Sequence, residues 1–184
     1  MRTVRMETRS AEETKGLGRR LAGVLRGGEV IALEGPLGAG KTTLVQGLAE
    51  GLGVRQPVTS PTFVLSGIYR GSGLLLSHLD LYRLSGPSEF TAAGLEDPLW
   101  DESVCVIEWA EKVTELLPED RLWVRLGFGE RLPGGEGLSR IPGDGSDLGS
   151  REIILDATGP RSEALLSAVD LEASPVGWTL ENVG

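Results

Sequence analysis

The chain has 184 residues, 40% of them hydrophobic, and a formal net charge of −9, which suits one domain with a sizeable core. The excess of 27 acidic over 18 basic residues argues against a broad nucleic-acid-binding surface, because such a surface needs many basic contacts to phosphate. A single histidine excludes a histidine cluster around a metal, and a single cysteine, Cys105, excludes an internal disulfide.

The sequence contains no feature typical of a membrane or secreted protein. No apolar run approaches the ~20 residues that a membrane-spanning helix needs. The first ten residues, MRTVRMETRS, lack the apolar core of a secretory signal. Cys105 lies within the apolar run VCVIE, where we expect a buried thiol that only packs. These features together predict a cytoplasmic protein.

Helices and short apolar strands alternate through the first part of the chain. Ser10 and Glu13 have the spacing of a capping box, which predicts a helix that runs to about Arg26. Residues 29–34 form a short apolar run typical of a buried strand. Residues 41–50 then have a helical pattern, and glycines end it.

Between this strand and this helix lies the stretch GPLGAGKTT, which fits the phosphate-loop pattern G-x-x-x-x-G-K-[ST]. Glycines allow the backbone N–H groups and the helix N-terminus to face phosphate oxygens. We expect Lys41 to reach the β- and γ-phosphates, Thr42 to bind Mg²⁺ and Thr43 to reach the α-phosphate. The predicted phosphate-binding residues are Leu37, Gly38, Ala39, Gly40, Lys41, Thr42 and Thr43.

Two acidic residues end apolar strands further along the chain. They are Asp80 in LLLSHLD and Glu108 in VCVIE. Because the carboxyl ends of parallel strands gather at the crevice beside the phosphate loop, both acids can approach the same ion. A polar elbow, Ser60-Pro61-Thr62, precedes a partly alternating strand, and its threonine is a candidate contact for the metal or the attacking water. Trp109 lies beside the site or packs at the strand end.

The remaining elements complete an α/β pattern. Helices are expected at residues 87–94, after Glu108 to about Leu117, and at 160–171. Two alternating segments, 121–128 and 151–155, are predicted to pair as a hairpin.

The predicted fold class is therefore a P-loop NTPase-like α/β sandwich with a mainly parallel central sheet and an antiparallel edge hairpin. Residues 1–172 would form a single P-loop ATPase domain. Within it, residues 129–150 are rich in glycine, serine and proline and are expected to form a mobile insertion. Residues 173–184 would form a flexible tail.

ATP is the favoured nucleotide, because the Asn/Thr-Lys-x-Asp stretch with which GTPases read guanine is absent. Three kinds of function fit a phosphate loop. The first is an ATPase that serves partner proteins. The second is a free-standing kinase for a small metabolite, for which Arg131 and Arg140 in the glycine-rich segment could supply a lid. The third is a nucleotide-gated binding module without hydrolysis.

The four motifs GPLGAGKTT, SPTF, HLDLYRL and IEWAEK, in this order and spacing, resemble the bacterial tRNA threonylcarbamoyladenosine biosynthesis ATPase family, TsaE. The resemblance implies a small cytoplasmic ATPase that uses ATP and Mg²⁺. Its partners would be TsaD and TsaB, the pair that transfers a threonylcarbamoyl group to adenosine 37 of tRNAs reading codons that begin with A. This favours the first kind of function over the kinase.

The resemblance also assigns roles to individual residues. Thr42 and Glu108 match the family's Mg²⁺ positions, with Asp80 close to the ion. Further nucleotide contacts are implied near Ala11, before the first helix, and near Arg151, at the start of a late strand. Together with the motif, these roles define a predicted catalytic set of Lys41, Asp80, Glu108 and Thr62.

If the phosphate loop binds nucleotide, Lys41→Ala should greatly weaken ATP binding, because the variant loses a charge-assisted contact to phosphate. Isothermal titration calorimetry of the wild-type and variant chains with ATP measures this loss directly. An unchanged dissociation constant would rule out the loop as the nucleotide site.

Overall fold

The structure, a computed structural model, describes residues 2–129, 150–169 and 181–183. In these ranges the chain forms eight β-strands and four α-helices. The strands are β1 (Arg2–Thr8), β2 (Val30–Glu34), β3 (Ser66–Arg70), β4 (Leu75–Asp80), β5 (Val104–Glu108), β6 (Leu122–Phe128), β7 (Arg151–Ala157) and β8 (Glu181–Val183). The helices are α1 (Ala11–Ala22), α2 (Lys41–Gly51), α3 (Pro87–Ala92) and α4 (Pro160–Ala168).

The strands form one mixed sheet in the order β3-β4-β5-β2-β6-β7-β1-β8. Neighbours are parallel from β4 through β5 and β2 to β6. They are antiparallel where β3 joins β4 and from β6 through β7 and β1 to β8. The predicted fold class is confirmed, and so is the antiparallel pairing of β6 with β7. This pair lies further inside the sheet than predicted, because β1 and β8 continue the sheet beyond it.

Helical segments cover both faces of the sheet. On one face α1, α2 and α4 bury residues such as Leu17, Leu44 and Leu166 in one apolar cluster. On the other face α3 and two 3₁₀ segments, Asp97–Leu99 and Ala110–Leu116, pack in a second cluster. The parallel strands are thus buried on both sides, which explains their continuous apolar sequences.

The start of α1 keeps one half of the predicted capping box, and the second hydrogen bond comes from Arg9 instead of from the N–H of Ser10. The Ser10 hydroxyl accepts a hydrogen bond from the backbone N–H of Glu13 at 3.1 Å, and the Glu13 carboxylate accepts one from the N–H of Arg9 at 2.7 Å. The end of α1 differs from the prediction: the helix stops at Ala22 instead of near Arg26. Residues 23–25 continue with i→i−3 hydrogen bonds of the 3₁₀ type, and the side chain of Leu25 is buried.

The sequence pattern does not predict β1 or β8. In β1, Val4, Met6 and Thr8 are buried, which is the period-two pattern of a strand with one face on the core. The backbone of β8 pairs with β1. Residues 130–149 and 170–180 lie outside the described residues, so the predicted mobile insertion and most of the predicted tail stay predictions.

Two expectations from composition have structural counterparts. Cys105 is buried within β5, and this burial raises the pKa of its thiol, which disfavours the reactive thiolate. Across the described ranges, no helix combines the length and the apolar character that a bilayer-spanning segment requires.

The close packing of α1 on α2 fixes the helix that carries the phosphate loop. A Cβ atom added at Gly47 in α2 would lie 2.2 Å from the backbone oxygen of Lys15 in α1. Only glycine allows the two backbones to approach so closely. Across the same contact Arg19 donates a hydrogen bond of 2.8 Å to the carboxylate of Glu50.

Gly47→Ala should therefore lower the free energy of unfolding by about 1–3 kcal/mol, as overpacking does. This loss opposes the gain of about 1 kcal/mol that alanine brings to an unobstructed helix. Urea denaturation followed by circular dichroism measures the difference. Gly73→Ala is the control, because a Cβ atom there meets nothing within 4 Å. Equal destabilisation of both variants would contradict the packing argument.

Candidate functional site

A cleft of about 530 Å³ lies where β2, β4 and β5 end, between these strand ends and the start of α2. Every residue of the predicted site except Ala39 lines it, and Ser60, Tyr82 and Trp109 complete the walls. The side chain of Ala39 is fully buried. The predicted members on the cleft wall are Ala11, Leu37, Gly38, Gly40, Lys41, Thr42, Thr43, Thr62, Asp80, Glu108 and Arg151.

The phosphate loop joins β2 to α2 and ends in a left-handed residue, Gly40, with φ of 103°. This backbone angle favours glycine, and an added Cβ atom there would lie 3.4 Å from the Arg151 side chain. No described side chain caps α2. The N–H groups of the first turn are therefore open to an anion in the cleft.

Lys41 is held by its own loop. Its ammonium donates hydrogen bonds to the carbonyl oxygens of Gly35 at 2.6 Å and Pro36 at 3.0 Å, and lies 3.8 Å from the centre of the Trp109 ring. Burial lowers the pKa of Lys41, and the carboxylates of Glu108, Glu111 and Asp80 act in the opposite direction. The sequence predicts a lysine that reaches phosphate; in this arrangement the ammonium contacts carbonyl groups and an aromatic face.

Thr42 and Glu108 meet across 66 residues of sequence. The threonine hydroxyl donates to both carboxylate oxygens, at 2.8 and 3.1 Å. Glu108 is 3% exposed, and its Oε1 also lies 2.9 Å from Nε2 of His78, which is fully buried. The carboxylate thus joins the start of α2 to the ends of β4 and β5.

Thr42 and Glu108 supply a hydroxyl and a carboxylate, which are oxygen donors of the kind that Mg²⁺ takes. Among the described residues, no group of three or more His, Cys, Asp and Glu side chains is arranged to hold a metal.

Asp80 neighbours Glu108 in the register of β4 with β5, but its carboxylate has different contacts. It accepts hydrogen bonds from the hydroxyls of Ser60 and Thr62, the latter at 2.6 Å, and from the N–H of Tyr82 at 2.9 Å. The N–H of Asp80 itself donates to the carbonyl of Leu65 at 3.0 Å. Asp80 therefore fastens the polar elbow to the end of β4.

Trp109 forms one wall of the cleft. Its backbone is left-handed, with φ of 62°, which is uncommon for a bulky residue. Its ring lies 5.1 Å from that of Tyr82, centre to centre. The ring lies beside the Lys41 ammonium of the phosphate loop. Trp109 therefore lines the site and does not merely pack at the strand end.

The sequence pattern missed Tyr82 and His78. A signal for His78 was present: it lies two residues before Asp80 in the same strand, so both side chains belong to one face of the sheet. Arg83 is not among the residues that line the cleft, and its guanidinium lies 5.3 Å from the centre of the exposed Phe63 ring. The arginines predicted for a lid, Arg131 and Arg140, lie outside the described residues.

This fold and this loop place the chain in the P-loop class of α/β proteins. A family model described as "Threonylcarbamoyl adenosine biosynthesis protein TsaE" matches residues 8–131, and the chain belongs to that family. The resemblance drawn from the four motifs is confirmed.

Relatives support the same assignment. A "tRNA threonylcarbamoyladenosine biosynthesis protein TsaE" of Streptomyces coelicolor is 54% identical over 113 residues, which cover 60% of this chain and 76% of the relative. Its Bacillus subtilis counterpart is 41% identical over 134 residues, which cover 71% and 84%. The crystal structure of Bacillus subtilis YdiB superposes with a TM-score of 0.71 and 33% identity, covering 92% of this chain and 95% of that one.

If Glu108 serves the metal, Glu108→Ala should retain substantial ATP affinity but lose most of its turnover. A ligand to the metal stabilises the transition state more than the bound ground state. Steady-state hydrolysis and calorimetry measure the two quantities separately. Asp80→Asn should have the milder effect, because Asp80 holds the elbow.

The exposed acid Glu115 gives the matched control, and Glu115→Ala should leave both quantities unchanged. Wild-type turnover in the Glu108 variant, or equal losses of affinity and turnover, would contradict the role.

Proposed function

We propose that this protein is a Mg²⁺-dependent ATP-binding and ATP-hydrolysing subunit. The observation that carries the proposal is the meeting of two oxygen donors, Thr42 and Glu108, beside an uncapped helix N-terminus at the end of a phosphate loop. The residues proposed to bind nucleotide are those of the loop together with Ala11 and Arg151.

Each group of the cleft has a proposed task. Lys41 would exchange its carbonyl contacts for the β- and γ-phosphates of ATP. Mg²⁺ held by Thr42 and Glu108 would neutralise charge that develops on the phosphate oxygens. Asp80 would keep the Ser60 and Thr62 hydroxyls at the cleft wall, where Thr62 can contact the attacking water.

We propose that hydrolysis serves tRNA threonylcarbamoyladenosine biosynthesis in the cytoplasm. The names of the related proteins support this pathway. In it the protein would act with TsaD and TsaB during threonylcarbamoylation of adenosine 37 in tRNAs reading codons that begin with A. The net charge of −9 makes contact through these proteins a better proposal than direct tRNA binding.

Partner contact is supported by exposed large side chains: two of them line the cleft, and the third follows a lining residue in the chain. Leu37 is 73% exposed, Phe63 86% and Tyr82 47%. Large apolar groups clustered on a surface are typical of interaction sites. Phe63 directly follows Thr62, so a partner that packs on Phe63 would also touch the elbow fixed by Asp80.

Slow turnover of the isolated protein is part of the proposal. Fast P-loop enzymes place a positive group on the transferring phosphate, and a partner that supplies it can add about 10³–10⁵ in rate. Of the described arginines, only Arg151 lines the cleft, and its side chain passes Gly40 at the start of α2. A partner is therefore the proposed source of activation.

The test is multiple-turnover ATP hydrolysis by the lone protein during a titration with purified TsaB and TsaD, without tRNA. We expect a slow basal rate that rises with the partners. Phe63→Ala should raise the partner concentration needed for half-maximal stimulation. Trp100→Ala should not, because this exposed aromatic lies just before β5, at the opposite end of that strand from Glu108.

A fast basal rate that is indifferent to both proteins would overturn the partner role. Phosphate transfer to a small metabolite would replace the proposal with the kinase function. ATP binding without hydrolysis under every condition would leave a nucleotide-gated binding module.

A further inference from the structure

We propose that His78 is a positioning residue, which holds the Glu108 carboxylate in the orientation that a metal ion requires. This inference rests on the proposed function, in which Glu108 binds Mg²⁺. His78 does not line the cleft, so it would act only through Glu108.

The contact is buried and directional. The His78 side chain is fully buried, the Glu108 side chain is 4% exposed, and Nε2 lies 2.9 Å from Oε1. His78 pairs with Val106 in the register of β4 with β5, so Glu108 is its diagonal neighbour on the same face of the sheet. Both backbones are fixed by the ladder, which leaves the imidazole little freedom to move away.

The contacts determine which ring nitrogen carries the proton. An ionised carboxylate only accepts hydrogen bonds, so Nε2 must donate. Nδ1 is buried and has no hydrogen-bond partner among the described residues. The 2.9 Å contact with Oε1 therefore calls for a proton on Nε2, the nitrogen that faces the carboxylate.

This donor has a specific consequence for Glu108. Oε1 accepts from both His78 and Thr42, whereas Oε2 has the longer Thr42 contact of 3.1 Å. If the Thr42 hydroxyl turned to a metal, the His78 bond would remain and stop the carboxylate from rotating. Partners of this kind, one step behind a metal ligand, typically change metal affinity by about 10–100-fold.

The first experiment uses the unaltered full-length chain. His78 is the only histidine, so ¹⁵N-histidine labelling gives imidazole signals that need no assignment by mutation. We expect Nε2 to carry a proton in its hydrogen bond to Oε1 of Glu108. A protonated Nδ1 with a bare Nε2 would overturn the proposal, because that ring cannot donate to Glu108.

The second experiment measures Mn²⁺ binding to the ADP complex by electron paramagnetic resonance, with Mn²⁺ as the visible substitute for Mg²⁺. His78→Leu should weaken Mn²⁺ binding about tenfold or more. His78→Gln, whose amide can donate from a similar position, should restore most of it. ADP affinity in excess EDTA should stay within about twofold for both variants, since the phosphate loop is untouched.

Glu108→Ala separates failure of this inference from failure of the proposed function. If Glu108→Ala loses Mn²⁺ affinity and His78→Leu does not, His78 has no positioning role and the proposed function stands. If neither loses it, Glu108 is not a metal ligand and both fail. If His78→Gln binds Mn²⁺ as weakly as His78→Leu does, the loss results from altered packing and the inference is overturned. If His78→Leu does not fold, the ¹⁵N experiment decides.

Discussion

The buried carboxylate of Glu108 is the constraint on which the cleft depends. It joins three elements far apart in sequence: α2 through Thr42, β4 through His78, and β5, which carries it. Burying such a charge is costly unless hydrogen bonds replace its water. The Glu108 carboxylate keeps its hydrogen bonds only when α2, β4 and β5 are packed together. Formation of the cleft therefore depends on correct assembly of the parallel strands.

Asp80 and Glu108 occupy equivalent positions in the sequence pattern but have different hydrogen-bond partners in the structure. Each ends a buried parallel strand, and the two are neighbours in the register. Glu108 faces the start of α2, whereas Asp80 receives the hydroxyls of Ser60 and Thr62. Glu108 is thereby bonded to the phosphate loop and Asp80 to the elbow, so the two parts of the cleft wall are held by different carboxylates.

The contacts of Lys41 are also informative. Its ammonium is satisfied by two loop carbonyls and by the face of Trp109. Under the proposed function, a nucleotide would have to exchange these contacts for phosphate oxygens. Trp109, next to Glu108 in the chain, is placed to respond to that exchange.

The phosphate loop, the alternation of strands and helices, and the two strand-end acids can all be predicted from the sequence, because they depend on local spacing and on the periodicity of apolar residues. The sequence pattern has clear limits, however. It missed β1 and β8, whose pairing depends on strands distant in the chain. It also did not distinguish Asp80 from Glu108 or reveal His78 beside Glu108. Those contacts follow from the strand register and from the position of α2, which close packing at Gly47 fixes. Only the tertiary structure decides them, because hydrogen bonds between buried groups depend on which residues the whole sheet brings within about 3 Å.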